Sequence, residues 1–151
     1  MTKKVIKVIK NKDIKLKELH FQYFPSRFIR EVYGSDGNMM LVKNSPHCDF
    51  LIQYEKVGKE VYKANTNYYK MQKAWGRDER YILKKMKKLT GLYDSIKKNG
   101  LKVKVQVLEE PLYKRVFDDG YEIYDGHHRA SVCFILGYKK IKCEVITVKF
   151  K

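Results

Sequence analysis

Three observations predict an α+β fold for this chain of 151 residues. Residues 78–99 place Ile82, Met86, Leu89, Tyr93 and Ile96 at alternating steps of four and three, the stripe of an amphipathic helix. Residues 101–108 alternate instead, with Val103, Val105 and Val107 on one face and Lys102, Lys104 and Gln106 on the other, the period of a strand. Residues 121–148 then read strand, turn, short helix, strand. Hydrophobic residues make up 44% of the chain, enough for a core. No apolar run approaches the ~20 residues of a membrane span. The lysine-rich start lacks the apolar stretch of a signal peptide, so a cytoplasmic protein with no membrane partner is expected.

Taken in order, Val5, Ile6, Val8 and Ile9 lie among lysines, and Ile14 and Leu16 continue the alternation. One or two short strands are expected here, with lysines facing out along an edge that resists aggregation. Residues 20–46 are irregular. A turn at 34–38 suggests that 28–32 and 39–42 pair as a hairpin. Ser45-Pro46 signals a helix start, N-cap then first helical position, and the helix should run to Val57 and stop at Gly58. Residues 59–76 are rich in tyrosine and polar groups, the composition of amphipathic cover for a small core or of a base-stacking surface. Thr90-Gly91 predicts a break of the 78–99 helix into two, and Asn99-Gly100 a C-terminal stop. Residues 109–120 read as a loop and Tyr121–Tyr124 as a strand. Residues 129–136 read as a helix closed by Gly137, and 140–148 as a last strand with Ile141, Cys143 and Val145 on one face. Residues 78–151 form the expected core, and 1–77 an N-terminal extension or lobe packed on the same domain.

Net charge is +16 and unevenly spread. Residues 1–17 hold seven Lys and one Asp, and residues 77–104 hold ten Lys or Arg against three acids. Such concentration is the footprint of a protein that meets nucleic acid or another polyanion, with Lys84, Lys85, Lys87 and Lys88 as the candidate contacts. Lysine outnumbers arginine 27 to 6, whereas base readers favour arginine for its bidentate geometry. Charge therefore supports affinity rather than a specific function. The three cysteines, Cys48, Cys133 and Cys143, are an odd number without a CxxC pair, which argues against a disulfide framework and a common zinc site. No metal ligand set is expected.

The densest polar chemistry lies in Tyr124-Asp125-Gly126-His127-His128-Arg129-Ala130, between the 121–124 strand and the following helix. A helix N-terminus presents unpaired N–H groups and a partial positive charge. Gly126 lets the backbone turn tightly and approach a ligand. Arg129 and the histidines complete an anion site, most simply one for phosphate. The alternative is a structural turn in which Asp125 caps the helix.

Two blocks resemble the ParB/sulfiredoxin-like superfamily. The first is Leu92-Tyr93-Asp94-Ser95-Ile96-Lys97-Lys98-Asn99-Gly100-Leu101 with the strand to Val107, although the proline usual before that strand is missing. The second is Asp125–Arg129, then Leu136-Gly137 and the strand from Ile141 to Val145, with an alanine that directly follows the arginine as a small departure. The resemblance covers about residues 78–148. It implies a mixed sheet with helices packed on it and a turn that binds nucleotide phosphates through Gly126, His128 and Arg129, with Ser95 from the first block.

Three branches of that superfamily compete. Sulfiredoxins carry a nucleophilic cysteine where this chain has His127, so their chemistry is not expected. ParB proteins bind CTP through a Gly-Glu-Arg-Arg motif and read DNA with a following domain. Free serine kinases are similar at Asp-Gly-His-His-Arg, the string at Asp125–Arg129. The resemblance therefore implies ATP/ADP-dependent phosphoryl transfer to a small hydroxyl substrate. Asp125 would act as base or hold Mg²⁺ through water, and His127 would assist as a second catalytic group. A second acid is expected from Glu18, Asp49 or Glu55. The competing expectation is a non-catalytic or slowly hydrolysing CTP- or ATP-binding switch that contacts DNA or RNA through its lysines.

Overall fold

In the computed structural model, residues 4–21, 24, 28–29, 32, 41–109 and 120–150 are described. Among them five strands form one mixed sheet: β1 (Lys4–Lys15), β2 (Leu19–His20), β3 (Val105–Leu108), β4 (Tyr121–Asp125) and β5 (Lys140–Phe150). Four α-helices accompany it: α1 (Pro46–Val57), α2 (Asn67–Ala74), α3 (Glu79–Asn99) and α4 (His127–Ile135). The strand order is β1-β5-β3-β4-β2. β5 runs parallel to β3 and antiparallel to β1, while β4 is antiparallel to β3 and parallel to β2. The expected α+β class and mixed sheet are thus observed.

The N-terminal segment supplies both edges of this sheet. β1 is a single strand rather than two short ones, because a register shift between Val8 and Lys10 absorbs the adjacent apolar pair Val8-Ile9. Its outer residues Val5, Val8 and Ile9 are exposed, whereas Ile14 is buried. Leu16 and Leu19 then enter one core cluster that also holds Leu51, Met71, Leu89, Val107 and Ile123. Burial of that continuous apolar surface is the main term holding the two segments together. Of the hairpin expected over 28–32 and 39–42, residues 30, 31, 39 and 40 lie outside the described residues, and the rest do not form it: Phe28, Ile29 and Val32 are helical and Val42 opens a 3₁₀ turn. Leu41 forms an isolated antiparallel bridge to His20. The loop expected at 109–120 also falls largely outside them.

The helix starts follow the local chemistry. The Ser45 side chain accepts from the Cys48 N–H with Pro46 at the first helical position, and α1 ends at Gly58 (φ 60°). Thr66 and Asp78 cap α2 and α3 in the same way. Residues 59–76 hold a 3₁₀ turn at Gly58–Lys63 and then α2, two elements the composition alone did not signal.

Two expectations are corrected. α3 is unbroken: Gly91 is exposed, and the Thr90 hydroxyl is satisfied by the Lys87 carbonyl and the Tyr62 hydroxyl. The strand expected over 101–108 begins only at Val105, and Val103 is 58% exposed. All three cysteines are free and buried. Burial pushes the Cys48 and Cys133 thiols up to about 11 and that of Cys143 up to about 12, so they are inert structural groups.

A Cβ at Gly91 would meet nothing within 4 Å. Gly91→Ala should therefore stabilise the protein by about 0.5–1 kcal/mol through lower unfolded-state entropy and better helix propensity. Urea denaturation with an unchanged slope checks this; a loss of stability would mean that α3 needs the glycine.

Candidate functional site

β4 and β5 flank the central strand β3 on either side, and α4 connects them. The β4–α4 turn therefore emerges beside the start of β3, where Gln106 pairs with Asp125. α3 ends at Gly100, whose N–H donates to the Ile96 carbonyl, and the chain crosses in front of that turn on its way into β3. A cavity of about 640 Å³ lies between these parts. Its polar lining is Lys85, Lys88, Ser95, Lys102 and the whole turn from Asp125 to Arg129. Leu92, Ile96, Leu101 and Val103 form its apolar wall.

The turn depends on a missing side chain. Gly126 is the N-cap of α4 and left-handed (φ 103°, ψ 28°), with no side chain capping the helix. A Cβ there would stand 2.9 Å from Arg129 Nη2 and 3.1 Å from both Arg129 Nε and Val105 Cγ2. The guanidinium thus lies across the face of Gly126. Its Nη2 is 3.6 Å from Asp125 Oδ2, too long for a strong hydrogen bond. Its buried Nε has no hydrogen-bond partner. Asp125 is not the helix cap. It is mostly exposed at the cavity mouth and pairs loosely with Arg129. The combination of uncapped N–H groups, a glycine cradle and an unspent guanidinium N–H fits a phosphate group.

The histidines contribute no positive charge. Burial lowers His127 to about 4, Asp125 opposing and Arg129 adding to the effect. Burial lowers His128 to about 4 as well, helped by His127, Lys85, Lys88 and Arg129. Both are neutral near pH 7, so each offers one donor and one acceptor. The cationic charge of the cavity comes from Arg129, Lys85, Lys88 and Lys102.

The expected site residues divide accordingly. Ser95 and Asp125–Arg129, 30 positions apart in the chain, meet in one cavity. Lys85 and Lys88 line it too, whereas Lys84 and Lys87 are exposed outside its lining. None of Glu18, Asp49 or Glu55 lines it. Glu55 accepts a hydrogen bond from the Tyr93 hydroxyl at 2.8 Å in a separate cleft with Tyr54 and Asp94. Asp125 is the one carboxylate in the described lining. No group of three or more His, Cys, Asp or Glu able to hold a metal occurs among the described residues. A phosphate-bound Mg²⁺ would accordingly be held from the protein side by Asp125 through water.

Residues missed from the sequence lie against the histidines. The His47 ring stacks on Phe21 at 4.8 Å, Phe21 stacks on His127 at 5.0 Å, and His47 stands 5.3 Å from His128, between ring centroids. The pattern Ser-Pro-His signalled only a helix start and carried no sign of this contact. No helix among the described residues is long and apolar enough to cross a membrane. No protein-family model, curated protein or solved structure matches the chain.

Two outcomes follow. Gly126→Ala should cost at least ~1–2 kcal/mol, because the left-handed backbone and the Arg129 contact oppose the same methyl group; denaturant unfolding measures it. The histidines set a pH dependence. With His127 and His128 at about 4 in the folded state and ~6.5 unfolded, the unfolded chain binds more protons across that window. Stability should be full above about pH 6.5 and fall progressively towards about pH 4, a trend that His128→Gln should flatten in urea titrations.

Proposed function

We propose that the chain is a nucleotide-dependent phosphotransferase acting on a small hydroxyl substrate, built on a ParB/sulfiredoxin-like core. The observation that carries this reading is the convergence of Ser95 and the Asp125–Arg129 turn on one cavity, beside an Arg129 Nε with no other partner. The cavity volume of about 640 Å³ and its apolar wall suit a whole nucleotide, base against Leu92 and Ile96 and phosphates on the turn. ATP or ADP is the first candidate, from the Asp-Gly-His-His-Arg string; CTP is the other.

In this reading Arg129, Lys85 and Lys88 neutralise phosphate charge. Gly126 lets the backbone N–H groups of α4 close on the phosphates. Ser95, His127 and His128 orient the ligand as neutral hydrogen-bonding groups. The acceptor hydroxyl oxygen forms the new bond to the terminal phosphorus as the bond to the bridging oxygen breaks. The nucleoside diphosphate leaves, and Asp125 takes the hydroxyl proton. Mg²⁺ on the phosphates supplies further charge neutralisation when bound.

A second reading is favoured by one observation: Lys84 and Lys87 remain exposed outside the cavity, as do Lys7, Lys10 and Lys12 on the edge strand. These lysines suit a nucleotide-binding switch that contacts DNA or RNA. Its affinity for a duplex or single strand should fall steeply with salt, and an affinity indifferent to salt excludes it.

Thermal shift with ATP, ADP, CTP and GTP, with and without Mg²⁺, tests the common premise, since a ligand of the folded state raises the melting temperature by mass action. Arg129→Ala should weaken nucleotide binding by about 2–3 kcal/mol, on the order of 30–150-fold, while the protein stays folded. Asp125→Asn should keep binding but lower turnover by at least ~10²-fold. Full phosphotransfer by Asp125→Asn would remove Asp125 as the base.

A further inference from the structure

A second cavity, of about 330 Å³, shares Lys85, His127 and His128 with the first. The first already has an apolar wall and room for a nucleotide, so the second is surplus to nucleotide binding. Its walls are aromatic: Phe21, Phe24, Tyr68, Trp75 and Tyr81. Two polar groups in this wall are unspent. His47 is 6% exposed and Tyr68 fully buried, and neither His47 Nδ1 nor the Tyr68 hydroxyl has a hydrogen-bond partner. Gln72 lies beside the Tyr68 hydroxyl without bonding to it in good geometry. A buried polar group left unpaired is destabilising, and a polar ligand in this cavity would relieve that.

Charge narrows the ligand. Arg77 and Lys85 stand over the Tyr81 ring at 4.9 and 5.5 Å from its centroid, and both line the cavity. No carboxylate occurs among its described lining residues. Such a site attracts a carboxylate, whereas Arg77 and Lys85 repel an ammonium group and already occupy the Tyr81 ring. Aromatic walls favour a flat body.

We propose that this second cavity binds a small, flat organic acid bearing a hydroxyl group. Its carboxylate lies against Arg77 and Lys85, its apolar body against Trp75, and its hydroxyl towards His47 Nδ1 and the Tyr68 hydroxyl. Burial, with His128 and His127 alongside, holds His47 well below its ordinary range and keeps it neutral, able to meet a hydroxyl as donor or acceptor. That this acid is the acceptor of phosphoryl transfer rests on the reading given under the proposed function; the binding site does not.

The test uses the full chain and four probes: 4-hydroxybenzoate, benzoate, tyramine and L-serine. Affinity is read by calorimetry, and position by the NMR signal of the indole N–H of Trp75, the chain's one tryptophan. 4-Hydroxybenzoate should bind and shift the Trp75 signal. Benzoate, lacking the hydroxyl, should bind about tenfold more weakly, and tyramine should not bind. Tyr68→Phe and Arg77→Gln should each weaken 4-hydroxybenzoate about tenfold or more. Preference for tyramine or L-serine, no binding of either acid to the folded protein, or undiminished binding by both variants would overturn the proposal. ADP titrations separate the two readings. Binding of 4-hydroxybenzoate without any ADP response upholds the second cavity and sinks phosphoryl transfer. An ADP response, retained in Tyr68→Phe, without acid binding does the reverse.

Discussion

Arg129 lies where the side chain of residue 126 would have to be. That exclusion fixes several things at once. It requires glycine at the left-handed start of α4, holds the guanidinium against the helix N-terminus, and leaves the Nε turned from any protein partner. The sheet supports it from behind, since Val105 on the central strand touches the same space. The strand order matters here. With β4 and β5 on opposite sides of β3, α4 must cross that strand, and the turn opens beside its first residue. The cationic ends of α3 side chains then face a site that already carries the dipole of α4. Local backbone geometry and the electrostatics of the site thus share one cause.

The histidines play a different part from the one their charge state in water would suggest. Enclosed by Phe21, His47 and Tyr68 on one side and by lysines on the other, they are uncharged. Being neutral, they form a partition between two cavities without repelling the cations around them. A charged pair there would oppose Arg129, Lys85 and Lys88 in a poorly solvated space, at a cost of several kcal/mol.

Much of this was legible in the sequence wherever chemistry and period are local. Ser45-Pro46 marked the start of α1 and Gly58 its end. The 78–99 stripe matched the buried face of α3, and the polar cluster at 125–129 identified the turn. What was hidden depends on contacts between distant segments. Thr90-Gly91 reads as a breaker until Tyr62, 28 positions away, is seen to bond the Thr90 hydroxyl. Val103 continues an alternating pattern but leaves the sheet, because 101–104 must wrap the cavity before β3 begins. His47 and Tyr68 carry no motif at all; their roles arise from two separate helices that meet the histidine pair. The acids expected as partners of Asp125 do not line the first cavity, and sequence alone does not tell which cleft a remote carboxylate reaches.

The continuity of α3 also sets a length scale. Lys85, Lys88, Leu92 and Ser95 all face the first cavity from this one helix. At about 1.5 Å per residue, the lysine end and the serine end stand about 15 Å apart. A helix interrupted at Gly91 would let those ends drift independently. As a single rod it acts as a gauge, presenting charge and hydroxyl at a fixed separation. Ligands that span the interval engage both ends together, and shorter ones must forgo one of them.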